Sequence, residues 1–256
     1  SKILTFEQLA LPPVIARMCE QPKGLVLVTG PTGSGKSTTL AAMIDAINKS
    51  KKSHIITLED PIEFVHRSEM SLLNQREVYA HTKSFARALK AALREDPDIV
   101  LVGEMRDQET IQLALETANT GHLVFGTLHT STAISTVDRI IDVFPPAQQA
   151  QVRAVLADVL KGVISQALCR KVGGGRVAAL ETLVVSYAIA NLIREGKTHQ
   201  VMSAMTTSKA QGNSILNEAL AALVADGKVD FAEALTKSAD KNDLARRCNK
   251  PMPALT

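Results

Sequence analysis

The stretch Gly30-Pro-Thr-Gly-Ser-Gly-Lys-Ser37 decides the fold of this chain of 256 residues. It matches G-x-x-x-x-G-K-[ST] at every fixed position, and this pattern is typical of a loop whose backbone N–H groups surround phosphate. The apolar run Gly24–Thr29 precedes the loop and predicts a strand that is buried on both faces. Residues 38–47 predict a helix after it. The loop therefore lies between a strand and a helix, which is the context that the pattern requires.

Each residue type in this loop has a chemical reason. Glycines let backbone N–H groups converge on phosphate oxygens, and the N-terminus of the following helix adds the positive end of its dipole. Lys36 can reach the β- and γ-phosphates, and the hydroxyl of Ser37 can ligate Mg²⁺. The predicted nucleotide-binding residues are Gly30, Pro31, Thr32, Gly33, Ser34, Gly35, Lys36, Ser37 and Thr38.

Short strands and longer helices alternate along the next part of the chain. Strands are predicted at 54–58, 98–103 and 123–127, and helices at 83–94, 108–120 and 133–142. This alternation is typical of an α/β protein with a mostly parallel sheet that helices cover. Together with the loop, it predicts a P-loop NTPase of the RecA-like type.

The pattern changes after Pro145-Pro146. The segments predicted there are a helix at 147–161, a last strand at 177–185 and then only short helices, at 187–195, 198–205, 214–225, 230–238 and 240–248. We therefore predict three parts of the chain. They are a lead-in with one short helix over 1–23, a RecA-like core over 24–185 and a helical C-terminal subdomain over 186–256.

The composition narrows the class of protein. Apolar residues make up 45% of the chain, and no stretch approaches the roughly 18 consecutive apolar residues that a membrane helix needs. The first residues lack the features of a secretory signal. The net charge of +3, with two tyrosines and no tryptophan, gives little sign of a nucleic-acid surface, and three distant cysteines predict no zinc site. We therefore expect a cytoplasmic protein without membrane insertion and without nucleic acid as a partner.

Acidic residues follow two of the predicted strands. Glu104 directly follows the strand at 98–103, an arrangement in which a carboxylate meets the Mg²⁺ shell or a water. Glu59, Asp60 and Glu63 follow the preceding strand, beyond the carboxyl end at which open α/β sheets bind their ligands. We predict Glu104 as a metal ligand, directly or through water. Glu59 or Glu63 is predicted to activate water, whereas Asp60 suits a turn cap equally well.

Two histidines bracket the strand at 123–127. His122 precedes it and His129 follows it. A pair of histidines beside a strand end in a nucleotide site favours sensing of the γ-phosphate over a purely structural role. No cysteine or acid has the spacing that would make them zinc ligands.

These four segments resemble the secretion-ATPase superfamily, and most closely its PilT-type retraction ATPases of bacterial type IV pili. The family's Walker A box is similar to residues 30–37, its Asp box to 57–64, its Walker B box to 101–107 and its His box to 121–130. The four boxes occur in the family's order, and the likeness is dense as far as about residue 200.

The resemblance implies ATP as the nucleotide and Mg²⁺ as the metal. It also implies that Glu63 is the catalytic glutamate and Glu104 the Walker B glutamate, while His122 and His129 sense the γ-phosphate or couple it to a neighbouring subunit. Such proteins form homo-hexameric rings at the cytoplasmic face of the inner membrane. Their partners there are the pilus platform protein and the pilin machinery, and ATP turnover drives pilus retraction.

Three comparisons with the family refine this expectation. Ala190 stands where retraction ATPases usually have the first arginine of Ala-Ile-Arg-Asn-Leu-Ile-Arg-Glu. Assembly-type relatives usually insert a four-cysteine segment after the region of residues 168–171, and this chain continues directly into Gly173-Gly-Gly-Arg176, which favours the retraction type. The lead-in is expected to follow a PAS-like domain that family members carry, and no arginine finger is assigned.

Two functions of other classes stay open at this point. The first is an ATP-gated interaction or regulatory module with negligible turnover, although such a module does not need both Glu63 and Glu104. The second is a RecA-like DNA translocase, which the loop and the predicted sheet permit but which the scarcity of aromatic residues disfavours.

Overall fold

Within residues 2–252, which the computed structural model describes, seven strands form one sheet. The strands are β1 (Gly24–Thr29), β2 (His54–Glu59), β3 (Leu72–Glu77), β4 (Ile99–Val102), β5 (Leu123–Leu128), β6 (Leu160–Arg170) and β7 (Arg176–Val184). Their order in space is β3-β2-β4-β5-β1-β6-β7. All neighbours pair in parallel except β6 and β7, which form an antiparallel pair at one edge. The predicted mostly parallel α/β fold is confirmed.

Helices cover both faces of this sheet. They are α1 (Pro13–Cys19), α2 (Lys36–Ser50), α3 (Phe85–Ala92), α4 (Gln108–Asn119), α5 (Ala133–Asp142), α6 (Pro146–Val159), α7 (Tyr187–Arg194), α8 (Val201–Thr207), α9 (Leu216–Ala225), α10 (Phe231–Lys237) and α11 (Lys241–Arg247). Short 3₁₀ turns precede α8 and follow α3. None of these helices, within the part of the chain that the structure describes, is long and apolar enough to cross a bilayer.

Strand β1 shows why the central strands are apolar along their whole length. All six of its residues are buried, and alternate side chains point to opposite faces of the sheet. Leu25 and Leu27 pack into the large core beneath α3 to α8. Val26 and Val28 pack into a second core beneath α1 and α2. A strand covered on both faces therefore needs an apolar side chain at nearly every position.

Two strands are not predicted by the sequence pattern. Strand β3 lies at the edge of the sheet, and its residues Leu-Leu-Asn-Gln-Arg-Glu are polar or exposed apart from Leu73. Strand β6 begins at Leu160, directly after the last residue of α6, so no turn residue marks the change from helix to strand. The prediction of a helix over 147–161 is therefore wrong at its C-terminal end.

The C-terminal helices pack in two different ways. Helices α7 and α8 contribute to the large core, where Ala190 is buried between neighbours. Helices α9, α10 and α11 instead form a third core against the last two strands, which contribute Ala167, Cys169 and Ala179. The division of the chain at residue 185 stays a proposal.

Glu181 connects the part of the chain before residue 185 with the C-terminal helices. This glutamate of β7 is only 3% exposed. One carboxylate oxygen accepts the backbone N–H of Ala133 at 2.7 Å, and the other accepts that of Leu216 at 3.2 Å. These residues begin α5 and α9, so the carboxylate meets two positive helix ends. Burial raises the pKa of Glu181, and the two backbone hydrogen bonds oppose that shift.

Glu181→Ala is predicted to destabilise the protein strongly. The change leaves two buried backbone donors without acceptors, and each such donor costs about 1–3 kcal/mol, so we expect the free energy of unfolding to fall by about 2–6 kcal/mol. Chemical denaturation measures this value. Glu116→Ala, which alters an exposed glutamate on α4, is the control and should change it by less than about 0.5 kcal/mol. Equal losses of stability in the two variants would contradict the role of Glu181 as the acceptor for both helix N-termini.

Candidate functional site

A cleft of about 510 Å³ opens at the carboxyl ends of the parallel strands. The loop after β1 forms one wall, and the segments after β2, β4 and β5 form the others. Six of the nine predicted nucleotide-binding residues line it, namely Thr32, Gly33, Gly35, Lys36, Ser37 and Thr38. Gly30, Pro31 and Ser34 build the loop behind this lining, and the buried hydroxyl of Ser34 has no hydrogen-bond partner among the described residues.

The loop needs glycine at positions that other residues adopt only with strain. Gly30 has a φ of 146° and Gly35, at the N-terminus of α2, a φ of 90°. A Cβ atom on Gly30 would lie 2.4 Å from the carbonyl oxygen of Gln166, so the loop packs directly on β6. The backbone therefore takes the place that a side chain would fill, as phosphate binding by N–H groups requires.

Lys36 reaches across the loop from the first turn of α2. Its ammonium donates to the carbonyl oxygen of Gly30 at 2.8 Å and to that of Pro31 at 3.2 Å. Burial lowers the pKa of Lys36, and the nearby carboxylates of Glu104 and Glu63 oppose this shift. A lysine held in this way offers its charge to the cleft as a fixed group.

Glu104 is the centre of a charged cluster that faces the loop. Its Oε1 accepts a hydrogen bond of 2.6 Å from Nε2 of His129 and also pairs with the guanidinium of Arg106. Nδ1 of His129 lies 3.5 Å from the ammonium of Lys36, which can only donate, so the geometry fits a histidine that carries its proton on Nε2. Burial alone would raise the pKa of Glu104, but the hydrogen bonds from Arg106 and His129 outweigh it and hold that pKa below its ordinary value.

Glu59 and Glu63 line the same cleft in different surroundings. Glu59 Oε1 accepts hydrogen bonds from Thr57 at 2.7 Å and from Gln75 at 3.0 Å. Burial raises the pKa of Glu59, and these two hydrogen bonds oppose the shift. Glu63 is exposed, and its carboxylate has no hydrogen-bond partner within residues 2–252. Two hydrogen bonds therefore hold the carboxylate of Glu59, whereas no hydrogen bond within the described residues holds that of Glu63.

His122 does not join this cluster within one chain. It precedes β5, whereas His129 follows it, and a strand of six residues is about 20 Å long. Nδ1 of His122 instead lies 3.0 Å from the carbonyl oxygen of Thr117, at the amino ends of the parallel strands, opposite the cleft. Contact of His122 with the same γ-phosphate is thus incompatible with this geometry, and only its predicted coupling to a neighbouring subunit stays open.

Two residues of the site are not predicted by the sequence pattern. Gln166 of β6 contacts the loop from below, and Arg106 pairs with Glu104. Gln166 could not be placed because β6 itself was not predicted. Arg106 is 70% exposed, and nothing in the sequence pattern separates it from an ordinary surface arginine.

The residues present fit Mg²⁺ bound together with a nucleotide. Within the described residues, no group of three or more histidine, cysteine or acidic side chains could hold a metal alone. Ser37 and Glu104 face the cleft and offer two oxygen ligands. Mg²⁺ typically takes one or two protein ligands and completes its shell with phosphate oxygens and waters.

The comparisons with known proteins agree with this geometry. The family of type II/IV secretion system proteins matches residues 7–174, about two thirds of the chain. The chain belongs to this family. It is 57% identical over 238 residues to the type IV pilus retraction ATPase PilT of Pseudomonas aeruginosa, and 56% identical over 230 residues to a twitching motility protein of Neisseria gonorrhoeae. These matches cover 93% and 90% of the chain, and 69% and 62% of the two relatives.

Solved structures of the secretion family have the same fold. The crystal structure of the pilus retraction motor PilT with bound ADP superposes with a TM-score of 0.91 at 54% identity, covering 96% of this chain and 70% of that one. The resemblance to PilT-type ATPases that the sequence suggested is therefore confirmed.

Gly30→Ala is predicted to destabilise the protein more than Gly33→Ala does. Both glycines have positive φ, so both changes carry backbone strain of about 1–3 kcal/mol. Only the new Cβ at position 30 would also meet a backbone carbonyl, because no atom of the described residues lies within 4 Å of the Cβ position at Gly33. Thermal unfolding without nucleotide compares the two variants. Equal melting temperatures would show that the loop does not rest on β6.

Proposed function

We propose that this chain is the motor domain of a Mg-ATP-hydrolysing enzyme that powers retraction of a type IV pilus. One observation carries the proposal: the phosphate loop, Glu104 and His129 converge on one cleft in a chain that is 57% identical to a pilus retraction ATPase. The family relationship supplies ATP as the nucleotide, since no segment of the chain is specific for the base.

The side chains of the cleft divide the chemistry between them. The loop N–H groups and Lys36 would bind the phosphates, and Ser37 and Glu104 would hold Mg²⁺, which would supply positive charge to the phosphate oxygens. Glu63 orients and deprotonates the attacking water. His129 contacts both Glu104 and Lys36, and it would sense the γ-phosphate through these two contacts.

The assembly and its partners belong to the same proposal. We infer a homo-hexameric ring at the cytoplasmic face of the inner membrane, acting on the pilus platform protein and the pilin machinery. In such a ring His122, at the far edge of the sheet, would face a neighbouring subunit. The core over 24–185 would carry the ATPase, and the helices over 186–256 would transmit its movement.

ATP hydrolysis together with the mass in solution tests this function directly. We expect Mg²⁺-dependent phosphate release in a hexameric peak, and we expect Glu104→Ala to reduce turnover at least a hundredfold because it removes a ligand of the metal. Glu109→Ala changes an exposed glutamate that pairs with Lys90, and it should leave the rate unchanged.

Two other results would count against the motor. A monomer that binds ATP and never releases phosphate would favour the ATP-gated module. Stimulation by DNA with a steep salt dependence would favour a translocase.

Glu63→Gln and Glu59→Gln are predicted to affect turnover differently. Loss of a general base lowers kcat by about 10²–10⁴-fold, which we expect for Glu63→Gln. Glu59 is held by Thr57 and Gln75 and a glutamine keeps an acceptor there, so we expect less than a tenfold loss for Glu59→Gln. Measurement of kcat at saturating ATP shows which of the two glutamates acts as the general base. A greater loss in Glu59→Gln would assign the base to Glu59.

A further inference from the structure

The amide of Gln166 is a buried polar group that contacts the phosphate loop. This residue of β6 is 4% exposed. Its neighbour Ser165 pairs with Thr29, the last residue of β1, so Gln166 lies one position beyond the end of β1, at the level where the loop begins. Its side chain is thus beneath the loop and outside the nucleotide cleft.

Both ends of this amide are engaged. Nε2 donates to the carbonyl oxygen of Ser34 at 2.5 Å, and Oε1 accepts from the hydroxyl of Thr39 at 2.8 Å. The orientation of the amide follows from chemistry, because a carbonyl oxygen can only accept and so must face the NH₂ group. The Thr39 hydroxyl, from the first turns of α2, then satisfies the remaining oxygen.

The contact with Ser34 fixes the direction of the next backbone donor. A trans peptide unit is planar, and its C=O and N–H point in opposite directions. With the Ser34 carbonyl directed down to Gln166, the N–H of Gly35 is directed up. Gly35 lines the cleft, and its N–H has no acceptor within residues 2–252.

From this geometry we propose that Gln166 is a positioning residue for nucleotide binding. It holds the Ser34–Gly35 peptide so that the N–H of Gly35 points at a phosphate oxygen. The inference rests on the proposed ATP site and goes beyond it, because it makes phosphate affinity depend on a side chain of β6 that never touches the nucleotide. Gly35 also has to be glycine for this arrangement, since a Cβ there would lie 3.0 Å from Nε2 of Gln166.

The test is Mg-ADP binding to purified protein by calorimetry, with Gln166→Glu as the main variant. At pH 8 the new carboxylate has no proton to donate to the Ser34 carbonyl, so we expect the Kd to rise about tenfold or more. As the pH falls toward 5, a protonated carboxyl regains a donor. The ratio of the Kd of the variant to that of the unaltered chain at the same pH should then shrink, which general damage to the fold would not produce.

Two further variants keep the result decisive. Gln149→Glu makes the same change at a glutamine that donates to the carbonyl oxygen of Phe144, outside the cleft, and should bind as the unaltered chain does. Gln166→Leu introduces no charge, and it should weaken binding by a factor that is the same at both pH values.

The outcomes separate this inference from the function itself. Failure of the unaltered chain to bind Mg-ADP would contradict the proposed ATP site. Tight binding by the unaltered chain, with Gln166→Glu or Gln166→Leu within twofold of it at pH 8, would overturn the role of Gln166 alone. A loss in Gln166→Glu that stays constant between pH 8 and pH 5 would overturn it too.

Discussion

Parallel pairing of β2, β4, β5 and β1 is the constraint on which the rest of the site depends. Parallel strands present their carboxyl ends at one edge, so the segments that follow them meet there although they are far apart in the sequence. Helices cover both faces, and the strands are consequently apolar along their length. The polar side chains that can bind a ligand therefore lie on the loops at the carboxyl ends of the strands. The cleft is therefore a product of topology before it is a product of any single residue.

Within the cleft, charges are arranged in a chain of contacts. The carboxylate of Glu104 lies between Arg106 and His129, and His129 in turn lies beside Lys36. Lys36 and Arg106 are the cations of this chain of contacts, whereas Glu59, Glu63 and Glu104 line the same cleft as carboxylates, so a phosphate ligand fits best together with a cation such as Mg²⁺. A phosphate oxygen at Lys36 would compete with the carbonyl oxygens of the loop. Such an exchange of partners would alter the contact between Lys36 and His129.

The sequence predicts what depends on local pattern and misses what depends on the sheet as a whole. The strand Gly24–Thr29 and the loop after it could be read directly, because burial on both faces and the glycine spacing each leave a clear signature. Strand β3 leaves none, since an edge strand tolerates polar residues. Gln166 is missed for the same kind of reason: its role comes from the pairing of β6 with β1. His122 and His129 form one motif in the sequence, yet a full strand separates them.

Strand β6 connects the loop to the C-terminal helices over a very short distance. Gln166 contacts the phosphate loop. Its neighbour Ala167 and, three residues after Gln166, Cys169 pack in the core formed by α9 to α11. Glu181 on the paired strand binds the first residues of α5 and α9. A displacement of the C-terminal helices would thus act on strands that also hold the phosphate loop and the helix after His129. The converse holds as well, because coupling between two sites is reciprocal. Strands β6 and β7 therefore connect the phosphate loop with the C-terminal helices by direct contacts.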